Sequence, residues 1–231
     1  MAEGRTTPPL PLAAAASTAA LIAQLAGGVA PVRRVWPPAR RLALWLAIEC
    51  GVVVAALVAS GWRADLAARL TSPGFASEIV LLIAVGLGSA VLALLAAVPG
   101  REPARALALA ACAGVVTGVG ALYAGEPATA YGTGQLVATG WPCAAGIFAV
   151  AALPWLVLLL AVRRGATLVP GLAGLLSGSA TFFIAAAAVR VACPSDERWH
   201  LLVFHLGSVV FGAAASVVLG LVWLSRWRRA A

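Results

Sequence analysis

Six long stretches of the chain carry almost no charge, and each is long enough to cross a bilayer. A hydrocarbon slab of ~30 Å needs about 20 consecutive apolar residues in helical form. The stretches fall at 42–61, 77–98, 105–124, 142–162, 168–190 and 201–224. Breakers separate them: Ser72-Pro73-Gly74, Pro99-Gly100, Gly125-Glu126-Pro127, Arg163-Arg164-Gly165 and Cys193-Pro194-Ser195. Of the 231 residues 62% are hydrophobic and 10% charged, with a mean hydropathy of +1.00, so a soluble domain would lack the polar surface it needs. The fold class this implies is all-α: a polytopic integral membrane protein with a bundle of six transmembrane helices.

Arginine sets the expected orientation. All sixteen basic residues are arginine, and the formal charge is +8. Twelve fall in the N-terminal segment, the second and fourth connections and the tail; Arg63, Arg69, Arg190 and Arg198 fall on the other side. Those four are diluted by Asp65, Glu78, Glu126, Asp196 and Glu197. The positive-inside rule then puts both termini in the cytoplasm. Trp36, Trp62, Trp141, Trp199 and Trp227 stand near span ends, as an interfacial belt requires. Basic clusters alternating with apolar runs are not the single basic face of a nucleic-acid reader, so no direct nucleic-acid contact is expected.

The chain therefore reads as a cytoplasmic segment 1–41, a membrane domain 42–225 and a short cytoplasmic tail 226–231. Residues 11–30 imitate a signal sequence or a seventh span. Ser17, Thr18, Gln24 and Gly27-Gly28 interrupt them, and an amphipathic or loosely helical segment is the better reading. Small residues repeat at four-residue spacing, Gly114 with Gly118 and Gly174 with Gly178. Such faces admit close helix approach, within one bundle ahead of a homo-oligomer seam.

The four cysteines divide into two classes. Cys50 and Cys112 lie mid-span, where a thiol serves as a small packing group. Cys143 and Cys193 fall at outer ends of spans on the same membrane face, in a compartment where disulfides can persist. Pro142 suits a first helical position, which would put Cys143 in the first turn, where the helix dipole favours a thiolate. The pair could form a disulfide, take a soft metal or meet an oxidant, or simply pack without meeting. Asp196, His200 and His205 are candidate supporting ligands. His200 and His205 are five apart, however, and so would not share a face of an α-helix. Glu49 is a carboxylate well inside the first span, expected to meet a single buried partner such as His205 or an arginine.

Signatures of soluble enzymes are missing: no P-loop, no dinucleotide fingerprint, no Gly-x-Ser-x-Gly and no Cys-x-x-Cys. No enzyme activity and no resident cofactor are expected. A small transporter relying on Glu49 and a membrane thiol-disulfide enzyme are the rival readings. The missing Cys-x-x-Cys weighs against the second.

Four ordered stretches carry a family resemblance. The first is Leu21-Ile22-Ala23-Gln24-Leu25-Ala26 leading to Pro31-Val32-Arg33-Arg34-Val35 and Pro37. The second is Gly61-Trp62-Arg63-Ala64-Asp65-Leu66. The third joins Trp141-Pro142-Cys143 to Arg163-Arg164-Gly165-Ala166 and Pro170, and the last joins Cys193-Pro194-Ser195-Asp196 to Phe204-His205. Together they span about residues 20–225 and resemble the NrsF-type membrane anti-sigma factors, negative regulators of sigma-F in the bacterial inner membrane. Ala192 and Phe204 stand where that family often has histidine and tryptophan. The resemblance implies a six-span protein that holds an extracytoplasmic-function sigma factor and releases it under heavy-metal or oxidant stress. It makes Cys143 and Cys193 the sensor pair, with transient metal ligation as one mode. It also makes Pro31, Val32, Arg33 and Arg34, with the helix before them, the sigma-contacting element.

Overall fold

The computed structural model describes residues 12–27, 35–128 and 132–225, and every regular element among them is helical. The chain divides into two units, Met1–Val35 and Trp36–Ala231. The first contains α1 (Leu12–Gly27), whose 16 residues give a length of about 24 Å, short of a full crossing. The expected sigma contact at Pro31, Val32, Arg33 and Arg34 and the tail with Trp227 lie outside the described residues.

The second unit holds six helices long and apolar enough to span a membrane. They are α2 (Pro38–Ser60), α4 (Pro73–Leu95), α5 (Arg105–Gly125), α6 (Thr133–Arg163), α7 (Pro170–Ala192) and α8 (Arg198–Leu224). A short helix, α3 (Leu66–Leu70), lies between α2 and α4. Proline opens α2, α4 and α7, where its missing N–H leaves no bond unmade. Five of the six spans start and stop within about four residues of the sequence reading.

α6 is the exception. It begins at Thr133, nine residues before the predicted start, so Pro142 lies inside the helix and not at its first position. Residues 133–141 carry no charge and go on winding, and membrane helices tolerate an internal proline when neighbours satisfy the freed groups. Cys143 consequently stands more than two turns into α6, and the first-turn dipole argument does not apply to it.

α7 is the hub. Eighteen of its 23 residues are buried, against three in each of α2 and α5. Lipid is as apolar as leucine, so close backbone fit has to hold such helices together. Gly174 and Gly178 press on Ser216 and Gly220 of α8, and Gly86 of α4 meets Ile184 and the Ala180 carbonyl. Gly114 and Gly118 differ: a Cβ at either would meet nothing within 4 Å, so that face of α5 does not pack within the bundle.

α2 binds α6 through directional contacts: Arg41 Nη1 donates to the Ala161 carbonyl (2.8 Å) and Trp45 Nε1 to that of Pro154 (3.2 Å). At the same end of the bundle, the Ala166 N–H donates to the Ala97 carbonyl (3.0 Å). Arg41, Arg101, Arg105, Arg163 and Arg164 all belong to this arginine-rich end.

Candidate functional site

Cys143 and Cys193 meet at the other end of the bundle. Cys193 caps α7 and is 4% exposed, while Cys143 projects half-buried from α6. Their Sγ atoms lie 3.5 Å apart, contact between two free thiols, against about 2.05 Å in a disulfide. Pro194 disfavours helical backbone at Cys193, which ends α7 there and turns the chain toward α8. The Cys143 hydrogen bond, helped by His200 and opposed by burial, pulls the Cys193 thiol below its usual range.

The opening of α8 brings both histidines to this pair. The Glu197 carboxylate caps it, accepting from the His200 N–H at 2.6 Å. Residues Leu201–Leu206 then wind as a π-helix, with the Gly207 N–H bonded to the Leu202 carbonyl five residues back. A wider turn places residues five apart on one face, so His200 and His205 come together with ring centroids 5.4 Å apart and planes tilted by 44°. The α-helical spacing rule separated them; the π-turn reunites them. His200 Nε2 lies 3.3 Å from Cys193 Sγ, and donor atoms of Cys143, Cys193, His200 and His205 all fall within 4.8 Å of one another. An open cavity of about 580 Å³ touches Cys143, Cys193 and His200, and is also lined by Ala138, whose carbonyl Pro142 cannot bond.

Asp196 is not part of that donor set. Its oxygens are taken by Arg63 (2.8 and 3.0 Å), Arg69 (2.6 Å) and Arg190 (2.7 Å), so it clamps three guanidiniums. Burial pushes its carboxyl up, but those hydrogen bonds outweigh it and hold the group well below the usual carboxylate range. Arg63 also grips Asp65 (2.6 and 2.9 Å), which lowers that carboxyl, and the hydrogen bonds to Asp196 first and Asp65 second raise Arg63. The Arg63 N–H donates to the Val191 carbonyl, tying the α2–α3 connection to the end of α7.

Sequence reasoning missed the inner half of this network. Fully buried Arg190 donates from Nε to Glu78 (3.0 Å) and from Nη1 to the Ser195 carbonyl (3.1 Å), while Tyr123 Oη donates to Glu78 at 2.7 Å. Phe75 lies under Arg190, 4.9 Å from ring centre to guanidinium. An arginine and a glutamate at matching depths of two predicted spans were the available signal.

The remaining candidates stand apart. Glu49 is 2% exposed, and neither carboxylate oxygen has a hydrogen-bond partner, so the expected pairing with His205 or an arginine is not made. α2 turns Glu49 to the same face as Trp45 and Arg41, one and two turns away, and that face packs on apolar helices. Cys50 lies exposed on the outside of α2, and Cys112 approaches Ser179 at 3.8 Å.

Six membrane-length helices, with thiols, imidazoles and a buried charge network gathered at one end, define a multi-pass membrane protein. The family model described as "Negative regulator of sigma F" (NrsF) matches residues 25–227, nearly the whole chain, and the chain belongs to that family. No curated protein and no solved structure matches it. As a member it is a negative regulator of a sigma factor, and its partner is a sigma factor.

Proposed function

We propose that this chain is a membrane-bound anti-sigma factor that releases an extracytoplasmic-function sigma factor when metal or oxidant stress reaches Cys143 and Cys193. Family membership supports the anti-sigma role. The observation that carries the sensing role is the 3.5 Å approach of two free thiols from separate helices, beside an open cavity. In this reading the protein sits in the bacterial inner membrane with both termini cytoplasmic, and it acts by binding, not catalysis. Pro31 to Arg34 contact the sigma factor inside the cell, and the thiols face the periplasm.

α7 is the natural carrier of the signal, because Cys193 ends it and nearly every other residue of it is packed. Chemistry at the thiols must favour the releasing state by its differential free energy. A coupling of about 1–3 kcal/mol would change sigma affinity 5- to 150-fold. The test replaces Cys143 and Cys193 by serine, singly and together, and follows a reporter driven by the sigma factor under metal or oxidant challenge. The expected result is a flat reporter in each variant; an undiminished response removes the sensing role.

A further inference from the structure

We propose that Cys143, Cys193, His200 and His205 form one four-coordinate site, two sulfurs and two nitrogens, for a divalent cation of the zinc class. This rests on the thiol-sensing reading and names what the thiols take and which residues complete their shell. Tetrahedral coordination at Zn–S ≈ 2.3 Å and Zn–N ≈ 2.0–2.1 Å sets neighbouring donors roughly 3.3–3.8 Å apart. The Cys143–Cys193 separation of 3.5 Å and the Cys193–His200 separation of 3.3 Å each lie within about 0.3 Å of the S–S and S–N edges of such a shell. All four donors lie within 4.8 Å of one another, so closing the shell takes on the order of 1 Å of movement.

The histidines supply the second, independent observation. His205 is completely buried, and neither ring nitrogen makes a well-formed hydrogen bond, although the Cys193 thiol is close enough to interact with the ring. A buried polar group without a partner is costly, and a bound cation would satisfy one nitrogen of His205, while His200 would bind through the Nε2 that already faces Cys193. A disulfide would consume the thiols and leave His205 as it is. Charge agrees as well: two thiolates, whose protons pass to water, neutralise a divalent cation and leave no net charge in the interior. Arg190, three residues before Cys193, makes no claim on that charge, since Glu78 and Asp196 already hold it. Sulfur and imidazole select zinc-class cations over hard ones; of the two nearby carboxylates, Asp196 is bound to arginines and Glu197 is turned to the His200 N–H as the helix cap. Only Pro194 and Ser195 separate Cys193 from Asp196, so a closing shell pulls directly on the clamp that joins α7 to the α2–α3 connection.

The test uses the full-length protein in lipid nanodiscs, titrated with Co²⁺ and then Zn²⁺. The expected result is one Co²⁺ per chain with tetrahedral ligand-field bands and thiolate charge-transfer absorption, both erased by one equivalent of Zn²⁺. X-ray absorption of the zinc-loaded wild type should show two sulfur and two nitrogen neighbours, a readout that needs no variant to fold. His200→Ala and His205→Ala should each weaken Zn²⁺ binding at least as much as loss of an outer-shell partner, about 10–100-fold. No metal retained after desalting, an oxygen-rich or all-sulfur shell, or wild-type affinity in both histidine variants overturns the site. None of these measurements involves a sigma factor. A missing metal beside a reporter that still depends on both cysteines therefore removes the site and leaves thiol sensing standing.

Discussion

The two ends of the bundle solve one problem by different means. Apolar area gives helices in lipid little reason to associate, so something more specific must hold them at each end. At the cysteine end it is charge: Asp196 holds three arginines, and Arg190 reaches on to Glu78, which also accepts from Tyr123. At the arginine-rich end it is mainly shape: Gly174 against Ser216 and Gly220, Gly165 against Ala97, and Pro170 against Gly220, with Arg41, Trp45 and the Ala166 N–H adding bonds to backbone carbonyls and none to an acid. Directional bonds can be remade by a ligand or a proton, while backbone contact changes only if whole helices move. The contrast fits a molecule that is chemically addressable at one end and rigid at the other.

The largest test of that contrast is Arg190→Met. It leaves Glu78 buried without its cation, and breaking a buried pair in this way costs about 3–5 kcal/mol. Unfolding in detergent should show the loss, and the double variant with Glu78→Gln should recover part of it. Equal stability of Arg190→Met and wild type would mean that the charges do not hold the cysteine end. Gly174→Val probes the rigid end, where a Cβ already runs into the Ser216 carbonyl and the Gly220 Cα. Overpacking of this kind costs about 1–3 kcal/mol, read in the same assay, with reactivity of the Cys143 and Cys193 thiols unchanged. A changed thiol reactivity would show that the two ends are not separable.

Acid gives the smallest effect. Asp196 has a folded-state pKa below the unfolded one, so its stabilisation is complete above the ordinary carboxylate range and is lost as pH falls through the lowered value. Alkylation of Cys143 should therefore stay constant from pH ~7 to pH ~4, after correction for thiolate fraction, and rise only below that. A rise near pH 6 would point to some other group.

Much of the architecture was legible because a bilayer permits so few solutions. Apolar length, arginine clusters and proline positions found all six spans, and five of them closely. The sixth misled because Pro142 looks like a helix start and in fact lies within α6. The thiol pair was visible from its membrane depth, but the 3.5 Å approach depends on how α6 packs on α7, which no spacing records. Asp196 was read as a ligand because acids near cysteines often are; three arginines from distant positions claimed it. Glu49 was expected to find a partner, and the face it occupies offers none.

The wide turn at Leu201–Leu206 has a consequence for inheritance as well as for chemistry. Deleting any one residue there would restore ordinary winding and swing the preceding residues by about 100° relative to the rest of α8. Phe204, which closes over Gly140, and His205 could no longer both keep their places beside His200. Such an indel would leave hydropathy, charge and span length almost untouched, so a descendant carrying it would still pass for an intact membrane protein after its pair of imidazoles had come apart.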